Sequence, residues 1–162
     1  MSGIHVTWMG RRHRARVIQI EQEAHGLLCW DEDDFAFFDG RRGSYQMAAF
    51  DIASGEVLGF AIYQMHEDCY ELLNIAVDPL CQRQGVGRAL IERIVEKLKP
   101  EYRDRIICDV GYERLAAIRF FRGVGFRTMR VVFGDDHGVH EMARRLPKHH
   151  AISSPARGEV AS

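Results

Sequence analysis

The sequence lacks an excess of charge of either sign, and it lacks any long apolar run. Its 22 lysine and arginine residues stand against 23 aspartate and glutamate residues, which gives a formal net charge of -1. Such a balance produces no bulk field that would draw the chain to nucleic acid, so we expect no direct nucleic-acid partner. No apolar segment approaches the roughly 18 to 20 residues that span a bilayer, which excludes a membrane protein.

Cysteine is scarce, and its spacing excludes a metal or disulfide framework. The four cysteines form no C-x-x-C pair, and no histidine follows them at zinc-finger spacing. No signal peptide precedes them, so we expect free thiols in a reducing cytoplasm. The histidines show no ligand spacing either, and no metal site is predicted from His25, His66, His137 and His140.

The apolar residues are numerous enough for one folded domain. Of the 162 residues, 46% are hydrophobic, and we assign residues 1–147 to a single domain. Residues 148–162 lack periodicity and are predicted to form a disordered tail. The hydrophobic periodicity predicts the order strand, two helices, three strands, helix, strand, helix and two strands.

One stretch, residues 74–91, organises the chain. An apolar strand ends at an Asp-Pro turn, and a basic, glycine-containing loop then opens a helix. The first turn of a helix has unpaired backbone N–H groups and a partly positive macrodipole, so this order is typical of an anion site. Gly85 and Gly87 carry no Cβ and would let phosphates approach the backbone. Arg83 and Arg88 would add charge-assisted hydrogen bonds.

The loop fits neither of two common nucleotide-binding motifs. A Walker loop requires Lys and then Ser or Thr after its last glycine, whereas Arg88 follows Gly87 here. A Rossmann fingerprint requires a third glycine where this chain has Leu90. The stretch instead resembles the Gln/Arg-x-x-Gly-x-Gly/Ala signature of the GNAT N-acetyltransferases, read as Gln82, Gly85 and Gly87. The resemblance implies acetyl-CoA as the acetyl donor, with its pyrophosphate held by this loop.

The resemblance covers roughly residues 4–147. Segments 18–25, 74–79, 82–90 and 125–126 resemble the bacterial branch of the family that acetylates the N-terminal alanine of a ribosomal protein. It implies an α/β (α+β) fold, a central mixed, mostly antiparallel seven-stranded sheet with helices on both faces and a splay between strands 4 and 5. Residues 109–110 would line the splay. The resemblance gives these cofactor-binding residues: Ile75, Ala76, Val77, Gln82, Arg83, Gln84, Gly85, Val86, Gly87, Arg88 and Arg114.

Acetyl transfer needs a base for the ammonium, a donor for the oxyanion and a proton for the departing sulfur. By resemblance, the backbone N–H of Val77 faces the thioester carbonyl. The family branch has a glutamate in a Leu-Glu-Val context on the fifth strand, and Asp109 is the matching residue. A carboxyl with a pKa near 4 serves as a base only where burial raises that pKa or through an ordered water. The alternative for Asp109 is a structural cap or salt-bridge partner.

Glu71 is a second candidate base. Many GNAT members place a working glutamate near the start of the fourth strand, where Glu71 lies. The alternative is an exposed charge at a strand end.

Two residues depart from the family pattern. Phe121 stands where the family has a tyrosine that protonates the sulfur. Three accounts are open: the thiolate leaves unassisted, Tyr112 or Tyr63 substitutes, or the site is degenerate. Arg114 replaces an asparagine that contacts the pantetheine arm, and it reaches either a cofactor phosphate or solvent.

The sequence therefore predicts an acetyl-CoA-dependent N-acetyltransferase that transfers acetyl directly to a primary amine. The favoured acceptor is the N-terminal α-amine of a protein or peptide, a ribosomal protein by resemblance, because an α-amine with a pKa near 8 needs only a weak base. One alternative is a small-amine, polyamine-like acetyltransferase, whose acidic pocket the acidic residues around Asp31 would supply only if they face the cleft. Another is a non-catalytic acetyl-CoA-binding module. We expect a monomer or homodimer.

Overall fold

Seven strands and four helices make up the protein in a computed structural model that describes residues 3–147. Their order is β1 (Ile4–Trp8), α1 (Arg14–His25), α2 (Glu32–Phe38), β2 (Ser44–Asp51), β3 (Val57–Met65), β4 (Cys69–Val77), α3 (Val86–Val95), β5 (Arg105–Gly111), α4 (Leu115–Gly123), β6 (Arg127–Phe133) and β7 (Gly138–Arg145). This is the predicted order. Short 3-10 turns lie at Arg11–His13, Gly26–Leu28 and Pro79–Cys81. The predicted tail, residues 148–162, lies outside the described residues.

All seven strands belong to one sheet in the order β1-β2-β3-β4-β5-β7-β6. Every neighbouring pair is antiparallel except β4 and β5, which run parallel. The β4–β5 ladder covers only Cys69–Glu71 against Arg105–Ile107, so the two strands separate over the rest of their length. The predicted mixed sheet and its splay are confirmed.

Helices cover both faces of the sheet, as predicted. On one face, α3 and α4 contribute Leu90, Ile94, Ile118 and Phe121 to the larger core. On the other face, α1 and α2 contribute Val17, Ile20 and Phe35 to a second core against β2, β3 and β4. Burial of each such side chain contributes about 1.5 to 3 kcal/mol, so both faces add to the stability of the fold.

Local signals fix most helix boundaries. Gly26 ends α1 in the left-handed region at φ 59°, and Asp31 begins α2 with a reciprocal capping box to Asp34. The helical apolar pattern of the sequence continues to Leu98, but α3 ends at Val95 and is followed by tighter turns through Leu98. Leu98 is still buried, so the hydrophobic pattern correctly predicts burial beyond the last α-helical turn. No helix in the described part of the chain is long and apolar enough to cross a membrane.

Candidate active site

The splay opens into a cleft of about 810 Å³ between β4 and β5. The start of α3, the body of α4 and the C-terminal end of α1 complete its walls. Most residues predicted for the site line this cleft: Ile75, Ala76, Val77, Gln82, Arg83, Gly85, Val86, Gly87, Arg88, Asp109 and Arg114. Two predicted residues, Gln84 and Glu71, lie outside the lining.

The loop before α3 has a left-handed backbone at two of its residues. Gly85, the N-cap of α3, has φ 87°, and a Cβ placed on it would meet nothing within 4 Å. Arg83 also has a positive φ, 59°, which is uncommon for a residue other than glycine. At the start of the loop, the buried Asp78 accepts from the backbone N–H of Leu80 at 2.9 Å and pairs with Arg16. The result is an open, basic concavity at the N-terminus of a ten-residue helix.

Gly87 has a different structural reason from the one predicted. A Cβ on this residue would lie 2.8 Å from the ring of Phe120, so the missing side chain lets α3 and α4 pack closely. Gly87 therefore has a packing role in addition to lining the cleft, whereas the space beside Gly85 is open.

Four arginines give the lining of the cleft a positive charge. Arg83 is exposed, and Arg88 Nη2 donates to the carbonyl of Gly123 at 3.0 Å, which ties α3 to the end of α4. Arg114 and Arg119 also line the cleft. The sequence reading missed Arg119, although it lies one helical turn after Leu115 on α4. Gln84 is exposed, with Nε2 directed at the carbonyl of Leu80 at 3.4 Å.

Strand β4 presents backbone groups to the cleft. Asp78 N–H donates to Leu58 on β3 at 2.9 Å, and alternation along an antiparallel strand then points the N–H groups of Val77 and Ile75 away from β3. Because β5 has separated there, these groups face the open cleft. A bulge at Leu73, between the pairs Tyr63–Leu72 and Ile62–Asn74, sets this orientation just before the segment.

Asp109 lies at the mouth of the cleft on the sheet face opposite α3. Its neighbours Cys108 and Val110 point into the larger core, and Asp109 faces Glu141 across the β5–β7 pair. Partial desolvation, followed by the nearby carboxylates of Glu141 and Glu71, raises the pKa of Asp109 above its ordinary value. Among described residues it makes no side-chain hydrogen bond or ion pair, so the structure assigns it no capping or salt-bridge role.

Glu71 lies in the last pair of the β4–β5 ladder, opposite Ile107. Its Oε2 is 2.7 Å from Nε2 of His66, and its side chain is 38% exposed. Glu71 therefore already has a partner and stands just below the point where the strands separate.

Among the residues that the structure describes, no hydroxyl lines the cleft in place of the missing tyrosine. Phe121 is buried against Phe120 and Phe126 with ring centroids 5.2 and 5.1 Å away. Tyr63 is buried in the core between other tyrosines, and Tyr112 is half exposed and stacks on His140. Neither tyrosine lines the cleft.

The one thiol in the lining is held in its protonated form. Burial, with a smaller contribution from Asp109, raises the pKa of Cys108 to about 12. A protonated thiol is a poor nucleophile, which favours direct transfer over a covalent enzyme intermediate.

Three polar residues of the cleft were missed or discounted from sequence. His25 Nε2 donates to the carbonyl of Ile75 at 3.1 Å, and its Nδ1 accepts from Arg114 Nη2 at 2.7 Å. Glu21 on α1 and Asn74 on β4 also line the cleft, and Glu21 Oε2 and Asn74 Nδ2 are buried without a hydrogen-bond partner. The only signal in the sequence for Glu21 and Asn74 as cleft residues was a charged or amide side chain among apolar neighbours. Within residues 3–147, no group of ligating side chains is arranged to hold a metal ion.

Comparison with known proteins agrees with this geometry. Residues 12–126 match the model of the Acetyltransferase (GNAT) family. The chain is 38% identical over 113 residues to the [Ribosomal protein bS18]-alanine N-acetyltransferase of Escherichia coli strain K12, covering 69% of this chain and 73% of that protein. The crystal structure of the Escherichia coli ribosomal-protein-S18-alanine N-acetyltransferase superposes with a TM-score of 0.75 at 28% identity, covering 99% of both chains.

A more distant structure shares the fold. Arabidopsis thaliana NAA60 in complex with acetyl-CoA has a TM-score of 0.75 at 16% identity, covering 89% of this chain and all of that one (100%). The family match spans more than two thirds of the sequence, and it includes the loop, both strands of the splay and α4. The chain therefore belongs to the GNAT acetyltransferase family, whose members are N-acetyltransferases that use acetyl-CoA as the acetyl donor.

Proposed function

We propose that this protein acetylates the N-terminal α-amine of a protein or peptide directly, with Asp109 as the base. The observation that carries the proposal is the position of Asp109. It is a carboxylate with a raised pKa and no described partner, at the mouth of a cleft whose other wall is basic. A ribosomal protein is the favoured acceptor, because the 38% identical relative is named for the alanine of ribosomal protein bS18.

The residues of the cleft fit acetyl-CoA. Open space at Gly85, the unpaired N–H groups of the first turn of α3, and the guanidinium groups of Arg83 and Arg88 suit a pyrophosphate. Strand residues Ile75 to Val77 would bind the pantetheine arm through their cleft-facing backbone groups. The bound cofactor supplies an acetyl thioester. The base for the ammonium and the donor for the oxyanion must come from the protein.

Two groups of this chain would act on the reacting atoms. Asp109, with its raised pKa, would accept a proton from the acceptor ammonium, directly or through one water. The cleft-facing N–H of Val77 would donate to the oxyanion that develops on the carbonyl, a role that needs a fixed donor and no special side chain. With Phe121 in place of a hydroxyl, the thiolate would leave unassisted, which its ordinary pKa near 8.5 permits.

The alternative small-amine activity requires an acidic pocket. The acidic residues at positions 31–34 do not line the cleft. Asp31 instead caps α2 by accepting from the backbone N–H of Asp34. Carboxylates do lie near the cleft mouth, at Asp109, Glu141 and Glu71. This wall is the observation that keeps a polyamine among the acceptors to be tested.

Mass spectrometry of amines incubated with the protein and acetyl-CoA tests the proposal. The panel contains peptides beginning with alanine, serine or methionine, a lysine peptide with a blocked N-terminus, and spermidine. We expect an acetyl group on a peptide N-terminus, lost in Asp109→Asn. Acetylation of spermidine alone would favour the small-amine enzyme. Tight acetyl-CoA binding without any acetylation would favour the non-catalytic binding module.

A further inference from the structure

Glu21 is a buried carboxylate that the roles described so far leave unexplained. It lies on the inner side of α1 with 1% of its surface exposed, and it lines the cleft. Its Oε1 accepts from the backbone N–H of Trp30 at 2.8 Å, which holds the segment after α1 in place. Its other oxygen, Oε2, is buried and has no hydrogen-bond partner among the described residues.

Within residues 3–147, no donor is hydrogen-bonded to this oxygen. His25 Nε2 lies 3.6 Å away, and its N–H already donates to the carbonyl of Ile75 at 3.1 Å. His25 Nδ1 is in turn occupied by Arg114. A buried carboxylate oxygen without a partner is costly, so a missing donor is expected at this position.

The two sides of the splayed sheet differ in charge. The side of α3 and α4 presents Arg83, Arg88 and Arg119 to the cleft, which suits the phosphates of the donor. The opposite side, which α1 covers, carries Glu21, and Asp109 projects on that same face of the sheet. Acetyl-CoA and the amine acceptor must approach the reacting carbonyl from different directions. If acetyl-CoA binds on the basic side, the acidic side is the one that faces a cationic acceptor.

We propose that Glu21 Oε2 is the counter-charge that binds the acceptor's ammonium group before Asp109 removes its proton. This assignment rests on the proposed function and specifies how the same cleft selects its acceptor. The ammonium brings three N–H donors, one of which would hydrogen-bond to Oε2 and leave the others free for Asp109 or water. Glu21 thereby selects a charged amine over a neutral group of the same size.

The test is the substitution Glu21→Gln, which removes the charge and keeps an oxygen for the N–H of Trp30. We expect the KM for an N-terminal alanine peptide to rise about tenfold or more, with little change in kcat or in the KM for acetyl-CoA. The inhibition constant of the Nα-acetylated product peptide, which carries no ammonium, is expected to stay the same. Glu23→Gln is the matched control, since Glu23 lies on α1 beside Gln19 at the surface.

Three results separate the possibilities. A change in peptide KM of less than about twofold would overturn the assignment and leave Oε2 to an internal water. An equal loss of affinity for the amine and the acetylated peptide would also overturn it, because the effect would then be structural. If the wild-type protein acetylates no peptide, the proposed function fails on its own. Calorimetry of the amine and acetylated peptides with the CoA-loaded protein then still decides whether Glu21 binds the ammonium.

Discussion

Arg114 Nη2 donates a hydrogen bond to Nδ1 of His25 at 2.7 Å, between residues 89 positions apart. Arg114 precedes α4 and His25 ends α1, so the contact bridges the two walls of the splay. His25 also donates to the carbonyl of Ile75 on β4. The imidazole thus needs its proton on Nε2, and Arg114 fixes that tautomer.

This bridge predicts energetic coupling between the two side chains. Arg114→Ala alone is expected to lower the free energy of unfolding by about 1 kcal/mol or less. In a protein that already carries His25→Ala, Arg114→Ala should lower it no further. A double-mutant cycle on the free energy of unfolding measures the coupling. Arg119→Ala, within α4, is the control and should be additive with His25→Ala. Additivity of Arg114→Ala would mean that the contact contributes nothing to stability.

Asp109 and Glu71 are distinguished by charge-neutral substitutions. Asp109→Asn is expected to lower kcat/KM for the acceptor by about a hundredfold or more, the range for loss of a general base. Glu71→Gln should stay within about threefold of wild type, because Glu71 is paired with His66 outside the cleft lining. Calorimetric affinity for acetyl-CoA should be unchanged in both. A larger loss in Glu71→Gln would transfer the role of base to Glu71.

The raised pKa of Asp109 has a consequence for stability. The folded state disfavours its ionisation, so stability falls as pH rises from the ordinary aspartate pKa, near 4, through the raised folded value. Asp109→Asn should therefore raise the Tm near pH 7, and the gain should vanish at acidic pH, where the carboxyl is protonated in both states.

Asp68 supplies a control of opposite sign. A hydrogen bond from Arg105 lowers the pKa of Asp68, so its ionised form stabilises the fold above the ordinary pKa. Asp68→Asn should lower the Tm near pH 7. If Asp109→Asn lowers it as well, Asp109 makes a stabilising contact and the proposed free base is wrong.

The cofactor loop is tested at Gly85. Gly85→Glu places bulk and negative charge where phosphates are proposed to bind, and it should abolish acetyl-CoA binding measured by calorimetry. Gly85→Ala imposes the same left-handed backbone penalty, about 1 to 2 kcal/mol, but meets no atom within 4 Å, so binding should persist. Unchanged affinity in Gly85→Glu would overturn the loop assignment.

The sequence predicted the fold well because local signals and topology agree in this chain. Strand periodicity, the capping box at Asp31 and the glycine after α1 each act over a few residues, so each leaves a signal in the local sequence. The splay is not a local property. The prediction of the splay came from the family resemblance, because hydrophobic periodicity does not indicate where the hydrogen bonding between two parallel strands ends.

The site was harder to predict, since it depends on contacts between distant residues. Gly87 was assigned to ligand approach, but its neighbour is the ring of Phe120 on another helix. Glu21 was invisible because a charged residue on an amphipathic helix usually faces solvent, and here it faces the cleft. Gly85 was assigned to ligand approach as well, and the space beside it is open, because its left-handed conformation is set within the loop itself.

Phe121 supports the last prediction, which concerns the proton for the departing sulfur. The ring lines the cleft with 6% of its surface exposed, so a hydroxyl on Phe121→Tyr would reach the cleft at the edge of a packed aromatic cluster. We expect kcat to rise severalfold below the ordinary thiol pKa of about 8.5 and to approach wild type above it, where the thiolate leaves unaided. Phe126→Tyr is the control: Phe126 is fully buried outside the lining, so its hydroxyl should cost about 1 to 3 kcal/mol of stability without any gain in kcat. A sharp fall in kcat for Phe121→Tyr, with the Tm unchanged, would show that the cleft requires the phenyl ring itself. The thiolate would then leave without a proton from this position.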